Sequence, residues 1–284
     1  MSETQTPLPR FTGKPLIKNP ELFPQVDFLT GDFGKAVFEE FQGRVKSDFQ
    51  DSAALRVLSY DEKNDIVTGS NPFAAVLVND IVSRNGVHVA SPADLECVLQ
   101  ANALPLRGVY VDSAVVLRDE AEPNSYLAKD LMGQLRSCGN VELPVMVPLR
   151  DLGVKNDVQS PYGLSFMLKE SAQPVYAPVL NSENGSRFTA ADIDETTGLP
   201  KNVGEGDRSL WTRRSGLSRL CVSGVLGLDA DYVNLIDSVA AGRVCIVSAG
   251  GATKNFEAQL SKEHKKQQEA LNAKYQQALQ LLRA

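Results

Sequence analysis

The side chains best suited to binding chemistry lie close together between residues 207 and 220. They are four arginines and the only tryptophan of the chain: Arg208, Trp211, Arg213, Arg214 and Arg219. A guanidinium group binds a carboxylate or a phosphate through paired hydrogen bonds and also stacks on aromatic rings. The segment therefore predicts one of three arrangements: ion pairs within the chain around a core tryptophan, a contact with another subunit or an acidic partner, or a contact with nucleic acid.

A second candidate site is a glycine turn that follows the strand-like run 243–248. The turn leads directly into a segment rich in helix-forming residues. Where a strand, a turn and a helix N-terminus meet, several free backbone amides point at one place and favour an anion such as phosphate. The candidate residues for this anion site are Gly250, Gly251, Thr253 and Lys254. The two glycines also suit a plain tight turn, and Lys254 is not at the position of a nucleotide-binding lysine, so both interpretations stay open.

Motifs of the common enzyme and metal-site types are incomplete. The chain has four cysteines without a C-x-x-C pair and two histidines: Cys97, Cys138, Cys221, Cys245, His88 and His264. With so few imidazoles we do not expect a zinc site, and we interpret the cysteines as core thiols. Two G-x-S patterns lack the second glycine of a nucleophile elbow, because Met167 and Leu220 stand in its place. We therefore expect no metal and no cofactor, and we name no catalytic residue.

The charge and hydropathy of the chain limit its partners. The 284 residues carry 29 basic and 35 acidic side chains, for a formal net charge of −6, which argues against binding nucleic acid through bulk charge. No apolar run approaches the ~18–20 residues that a membrane-spanning helix needs, and the first residues lack a signal-peptide pattern. We expect a soluble protein, cytoplasmic or part of a virion, with no membrane span and no nucleic-acid partner.

The body of the protein is predicted over residues 31–252, beginning with a helix. Large apolar residues recur every four positions at Phe33, Val37, Phe41, Val45 and Phe49. This spacing places them on one buried face of a helix. Short strands are predicted at 53–60 and 66–68, and the apolar run 73–82 is interpreted as a further strand.

Helices and strands then alternate up to residue 150. Ser91, Pro92 and Asp94 form a helix-start signal, and a second helix is predicted over 124–137. Strands are predicted around these helices, at 108–118 and 141–149. The alternation predicts parallel pairing through right-handed crossovers. Because prolines in the second strand cannot donate hydrogen bonds, we expect that strand at a sheet edge.

The rest of the body is less regular in sequence. Residues 162–169 and 174–180 predict a hairpin or two adjacent strands, and residues 229–240 predict a helix. Between them, residues 181–207 are mostly polar and lack periodicity. Such a segment is typical of a functional loop or a β-excursion, here with a small hairpin that turns at residues 197–198.

The segments on either side of the body are predicted to leave it. Residues 1–30 contain five prolines and predict an extended arm. Residues 253–284 contain neither glycine nor proline and predict a helix of about 46 Å. Residues 261–269 include no apolar side chain, so a helix there is solvated on every side. An apolar stripe follows, at Leu271, Tyr275, Ala278, Leu279 and Leu282. This stripe is expected to bind its own body, another copy of the chain, or a different partner.

Together these patterns predict an α/β fold: a mixed, partly parallel sheet with flanking helices, an extended N-terminal arm and a long projecting C-terminal helix. Extensions of this kind tie subunits together in closely packed shells, tubes and filaments. The leading hypothesis is a non-enzymatic structural or assembly protein, a homo-oligomer that self-associates through its extensions and can contact other protein subunits; a virion or phage-encoded component is one such setting. The alternative is an α/β enzyme that binds a nucleotide or phosphate ligand at residues 250–253.

Overall fold

The computed structural model describes residues 13–15, 25–183 and 185–248, together with Lys265 and Gln268. Within these ranges the helices are α1 (Gly31–Ser47), α2 (Pro72–Val82), α3 (Pro92–Ala101) and α4 (Ser125–Cys138). The strands are β1 (Lys14–Pro15), β2 (Gln25–Phe28), β3 (Ser59–Asp61), β4 (Ile66–Thr68), β5 (Val87–Val89), β6 (Tyr110–Leu117), β7 (Val145–Pro148), β8 (Leu152–Asn156), β9 (Leu164–Leu168), β10 (Val175–Tyr176), β11 (Ser186–Phe188), β12 (Arg208–Trp211), β13 (Leu217–Val222), β14 (Leu228–Asp229), β15 (Gly242–Arg243) and β16 (Cys245–Ser248).

Two sheets organise these elements. The smaller sheet has the antiparallel order β1-β2-β16-β5. The main sheet has the order β10-β7-β6-β13-β14-β12-β11, and β15 joins the start of β6. Its pairs β12–β14 and β6–β15 are parallel, and its other pairs are antiparallel. The prediction of a mixed, partly parallel sheet with flanking helices is confirmed.

The predicted parallel crossover within residues 108–149 is wrong. Strands β6 and β7 are antiparallel, with Leu117 opposite Val145. Nor is β7 at the sheet edge, because β10 pairs with its other side through Val175 and Tyr176. Since α4 connects two antiparallel neighbours, it lies on one face of the sheet without forming a parallel unit.

The main sheet separates two hydrophobic cores. One core contains the buried faces of α1, α2 and α4 with the β8–β9 hairpin, and the other contains α3 and the segments around β11 and β12. Along β6, Val115 and Leu117 belong to the first core, whereas Ala114 and Val116 belong to the second. This alternation is expected of a strand that is covered on both faces.

The first core is centred on α2, where the sequence predicts a strand. That prediction is wrong, because residues 72–82 are helical and all of them except Asp80 are buried. Asn71 starts the helix by accepting a hydrogen bond from Ala74 N (2.8 Å), and Pro72 occupies the first turn. A helix buried on every side has no polar face, so its sequence resembles that of a buried strand.

The other predicted helices of the first half are confirmed. Phe33, Val37, Phe41 and Val45 are buried on one face of α1, and Phe49, two residues beyond the end of the helix, is buried as well. At α3, Ser91 Oγ accepts a hydrogen bond from Asp94 N (3.2 Å) while Asp94 Oδ2 accepts one from Ser91 N (2.8 Å). This reciprocal pair is the capping box that the sequence signals.

The second half differs more from its prediction. Residues 162–180 do not form one hairpin, because β9 pairs with β8 and β10 pairs with β7. The small hairpin turning at residues 197–198 is confirmed: Asp194 N donates to Leu199 O and Gly198 N to Asp194 O, both at 2.8 Å. The helix predicted over 229–240 is wrong, because Asp229 ends β14 and residues 230–241, here called the strap, are irregular.

Candidate functional site

The strap is held in place by side chains from several other elements. Its carbonyls accept hydrogen bonds as follows: Ala230 from Arg118 Nη2 (2.9 Å) and Ser218 Oγ (2.6 Å), Val233 from Asn124 Nδ2 (2.8 Å), Ile236 from Asn71 Nδ2 (3.2 Å) and Asp237 from Arg219 Nη1 (3.0 Å). Because these donors satisfy the strap's carbonyls from outside, the strap does not need a helix of its own. Asn71 and Asn124, which directly precede α2 and α4, thus hold the strap in place through their side-chain amides.

Arg118, immediately after β6, donates four hydrogen bonds, one of them to the strap, and the sequence does not single it out. Nε donates to Leu180 O (2.8 Å), and Nη1 to Ser218 Oγ (2.8 Å). Nη2 donates to Thr212 Oγ1 (3.0 Å) and Ala230 O (2.9 Å). The side chain is buried and its four acceptors are neutral. Burial and the nearby Arg213 lower the pKa of Arg118 to about 9, so it stays charged at neutral pH.

Arg208 is buried in a two-pronged ion pair with Glu96 of α3. Nη1 lies 2.6 Å from Oε2, and Nη2 lies 2.6 Å from Oε1. Nε donates to Leu226 O (2.7 Å), and the guanidinium lies 4.7 Å from the centre of the Phe188 ring. Every side of the group is therefore in contact with this chain, and the first of the three predicted arrangements describes Arg208.

Arg219 is likewise buried, opposite Asp112. Its Nε lies 3.4 Å from Asp112 Oδ1, and the other carboxylate oxygen accepts a hydrogen bond from Ser70 Oγ (2.6 Å). The guanidinium also lies between the rings of Tyr110 and Tyr232, at 5.2 and 4.3 Å from their centres. Burial opposes the charge of Arg219, but Asp112 holds its pKa above the ordinary value. The group therefore acts as an internal clamp between β6, β13 and the strap.

The other members of the arginine-rich segment lie at the surface. Trp211 is 51% exposed and is not the core tryptophan of the first arrangement. Its ring covers Gly185, where a Cβ atom would stand only 2.6 Å from the ring. Arg213 donates to Ser215 O (3.0 Å), and Arg214 lies 3.7 Å from Glu183 in an exposed pair. Trp211, Arg213 and Arg214 are thus the members of the set that remain accessible.

Two carboxyl groups lie where β14 meets the strap: Asp229 ends the strand, and Asp231 is the second residue of the strap. Asp229 lies opposite Trp211 and Cys221 in the sheet, and its Oδ1 accepts a hydrogen bond from Asp231 N (3.3 Å). Burial, together with the carboxyl group of Asp231, raises the pKa of Asp229 to about 7. Arg219 opposes this shift. The carboxyl group of Asp229 therefore keeps its proton up to near neutral pH.

The described histidine is not arranged for acyl transfer. His88 Nε2 lies 3.8 Å from Asp94 Oδ2, but that oxygen already accepts hydrogen bonds from Ser91 N and Oγ and pairs with Arg150 (3.2 Å). The serine hydroxyl thus contacts the carboxylate instead of the imidazole that would have to activate it. No group of three or more histidine, cysteine or carboxylate side chains in the described ranges is placed to hold a metal ion.

The cysteines divide into two pairs by exposure. Cys221 and Cys245 are buried, as expected of core thiols, and burial raises their pKa well above the ordinary value. Cys97 and Cys138 are exposed, so the prediction of core thiols is wrong for these two.

The smaller sheet attaches both terminal segments to the body. Strands β2 and β16 are antiparallel neighbours, with Gln25 opposite Ser248 and Phe28 opposite Cys245. The chain therefore enters β2 and leaves β16 at the same end of the pair. Val26, Ile246 and Val247 are buried, which anchors both strands between the two cores. Residues 25–28, which the sequence places in the arm, contribute a strand to this sheet.

The remaining sequence-predicted residues lie outside the described ranges. They are the anion-site candidates Gly250, Gly251, Thr253 and Lys254 and the stripe residues Leu271, Tyr275, Leu279 and Leu282. The long C-terminal helix and most of the N-terminal arm also fall there.

Comparison with known proteins returned no relative. The chain matches no protein-family model, no curated protein and no solved structure. Among the described residues, no helix is both long enough and apolar enough to cross a membrane.

Proposed function

We propose that this chain is a non-enzymatic assembly protein that self-associates through the segments flanking its body. The observation that carries the proposal is the pairing of β2 with β16. These strands receive residues up to 24 and release residues from 249 onward at one end of a buried strand pair. A neighbour that binds either segment is thereby connected to both cores of the body.

The use of the charged groups supports the same proposal. Arg118, Arg208 and Arg219 are committed to internal acceptors, and the described histidine lacks a nucleophile. Ionisable side chains therefore stabilise the body, whereas the accessible Trp211, Arg213 and Arg214 are of residue types that favour protein contacts. A shell or tube of identical subunits, such as a virion, is the setting we propose. The alternative, an anion site at residues 250–253, rests on the sequence.

Light scattering of the full chain and of a chain ending at Gly251 tests the proposal. We expect the full chain to form a defined oligomer and the shortened chain to be a monomer. Leu279→Asp should also give monomers because it places a charge in the apolar stripe, whereas Gln280→Asp, one residue away, should leave the oligomer intact. A monomeric mass for both the full and the shortened chain would contradict self-association through this segment.

A further inference from the structure

We infer that a groove at the end of α4 receives the apolar stripe of the C-terminal segment from a second copy of the chain. The inference rests on the proposed function and names the surface that it would use. The groove has a volume of about 440 Å³ and is lined by residues that include Leu135, Cys138, Val141, Glu142, Val145 and Tyr176. We call it the α4 groove.

The α4 groove exists because the main sheet ends beside it. Strand β10 has two residues, which pair with Val145 and Met146 of β7, and no described strand follows beyond it. The ring of Tyr176 is consequently 52% exposed at one wall of the groove. The buried side chains of Leu135 and Val145 form its floor. An apolar floor with a half-exposed aromatic wall suits the Leu and Tyr side chains of an amphipathic helix.

Charge distinguishes this groove from a second one on the body. The second groove, of about 260 Å³ beside α1, includes Lys46 and the Arg56–Asp51 pair in its lining and therefore carries a net positive charge. In the α4 groove the charged lining residue is Glu142, which forms no ion pair with another described residue. The last turn of α4 adds the partial negative charge of a helix C-terminus.

The proposed occupant has the opposite charge. Residues 253–284 carry six basic and three acidic side chains; of these, Lys274 lies within the span of the stripe and Arg283 directly follows it. A basic amphipathic segment is attracted to the acidic groove and repelled by the basic one. The polar residues 261–269 separate the stripe from the body, and as a helix residues 253–269 would span about 25 Å. A spacer of this length allows the stripe to reach a groove on a neighbouring copy, as the proposed function requires.

The exposed thiol of Cys138 allows the contact to be tested in the full chain. In a Cys97→Ser background, Ala278→Cys places a second thiol on the stripe. Mild oxidation should link it to Cys138 of another copy, giving covalent multimers whose linked peptides are identified by mass spectrometry. Gln280→Cys is the matched control on the other side of the predicted helix and should link much less. A link that leaves the monomer mass unchanged would show docking within one copy and overturn the inference.

A charge reversal provides an independent readout. Glu142→Lys should raise the concentration needed for half-assembly roughly fivefold, as expected for the loss of one partly exposed charge contact. Glu62→Lys, on the exposed turn between β3 and β4, makes the same change elsewhere and should have no such effect. Assembly that depends on residues 252–284 but forms no link to Cys138 would overturn the α4 groove while leaving the proposed function in place. Assembly that does not depend on residues 252–284 would contradict both the α4 groove and the proposed function.

Discussion

Glu96 of α3 meets Arg208 of β12 through two hydrogen bonds of 2.6 Å, although 112 residues separate them in the sequence. Both side chains are buried, so each charge depends on the other for compensation. The pair joins the helix on one face of the main sheet to a strand near its far edge. It also explains why the arginine-rich segment does not present Arg208 at the surface.

Replacing only one partner of this pair should lower the stability of the protein. Glu96→Leu or Arg208→Met leaves a buried charge without compensation, and each should lower the free energy of unfolding by about 3–5 kcal/mol. The double variant Glu96→Leu with Arg208→Met removes both charges and should recover much of the loss. Urea unfolding of the four proteins measures this cycle, and a double variant as unstable as the sum of the singles would contradict it.

Arg118 should matter more for stability than any exposed arginine. Arg118→Met removes four buried hydrogen bonds, although Ala230 O and Leu180 O keep Ser218 and Thr212 as donors, and we expect the free energy of unfolding to fall by about 3 kcal/mol or more. Arg214→Met, at an exposed pair 3.7 Å from Glu183, is the matched control and should change stability by no more than about 0.5 kcal/mol. Thermal and urea unfolding give the comparison; equal effects would refute the role of Arg118 as the anchor of the strap.

The carboxylates at the start of the strap predict a pH dependence. The pKa of Asp229 is raised from 3.8 to about 7, so between these values the folded protein holds a proton that the unfolded chain releases. Stability should therefore fall as the pH rises through this window. Asp229→Asn removes the free-energy cost of ionising this buried carboxyl group. It should therefore stabilise the protein by about 1–2 kcal/mol at pH 8 and have little effect near pH 4. Glu62→Gln, at an exposed position, is the control; a pH-independent effect of Asp229→Asn would count against the raised pKa of Asp229.

The turn of the excursion depends on a glycine. Gly198 has φ +71°, and a Cβ atom there would lie 2.3 Å from the backbone of Pro92 at the start of α3. Gly163 has φ +69° but no atom within 4 Å of such a Cβ. Gly163→Ala should lower the free energy of unfolding by ~1 kcal/mol, because alanine disfavours the left-handed conformation. Gly198→Ala should lower it clearly more, because the added Cβ atom would also collide with the backbone of Pro92. Differential scanning calorimetry measures both, and equal shifts in Tm would contradict the close packing of the turn on α3.

Local signals in the sequence predicted the elements that depend on neighbours along the chain. The phenylalanine and valine spacing of α1 and the Ser91–Asp94 capping box require only residues a turn or two away. The turn at Gly198 is a signal of the same kind. These elements are where the sequence predicted.

The features that could not be predicted are those that depend on contacts between residues far apart in the chain. Asn71 donates to Ile236 across 165 positions, and Arg118 donates to Ala230 across 112. These hydrogen bonds keep the strap from forming the helix that its composition suggests. Arg118 gave one weak signal, since it is the charged residue that ends the apolar run Ala114–Leu117 of β6. The pairing of Arg208 with Glu96 could not be inferred, because no pattern in either segment specifies its partner.

Residues 242–248 connect the two sheets. Strand β15 belongs to the main sheet and β16 to the smaller one, and Val244 is the one residue between them. Strand β15 pairs with Tyr110 and Val111 of β6, while β16 pairs with β2 and β5. Unfolding of either sheet would therefore pull residues 242–248 away from the other sheet. The two sheets thus form a single cooperative unit. Amide protons of Val247 and Val111 should accordingly exchange with solvent at similar, slow rates, set by global opening of the molecule.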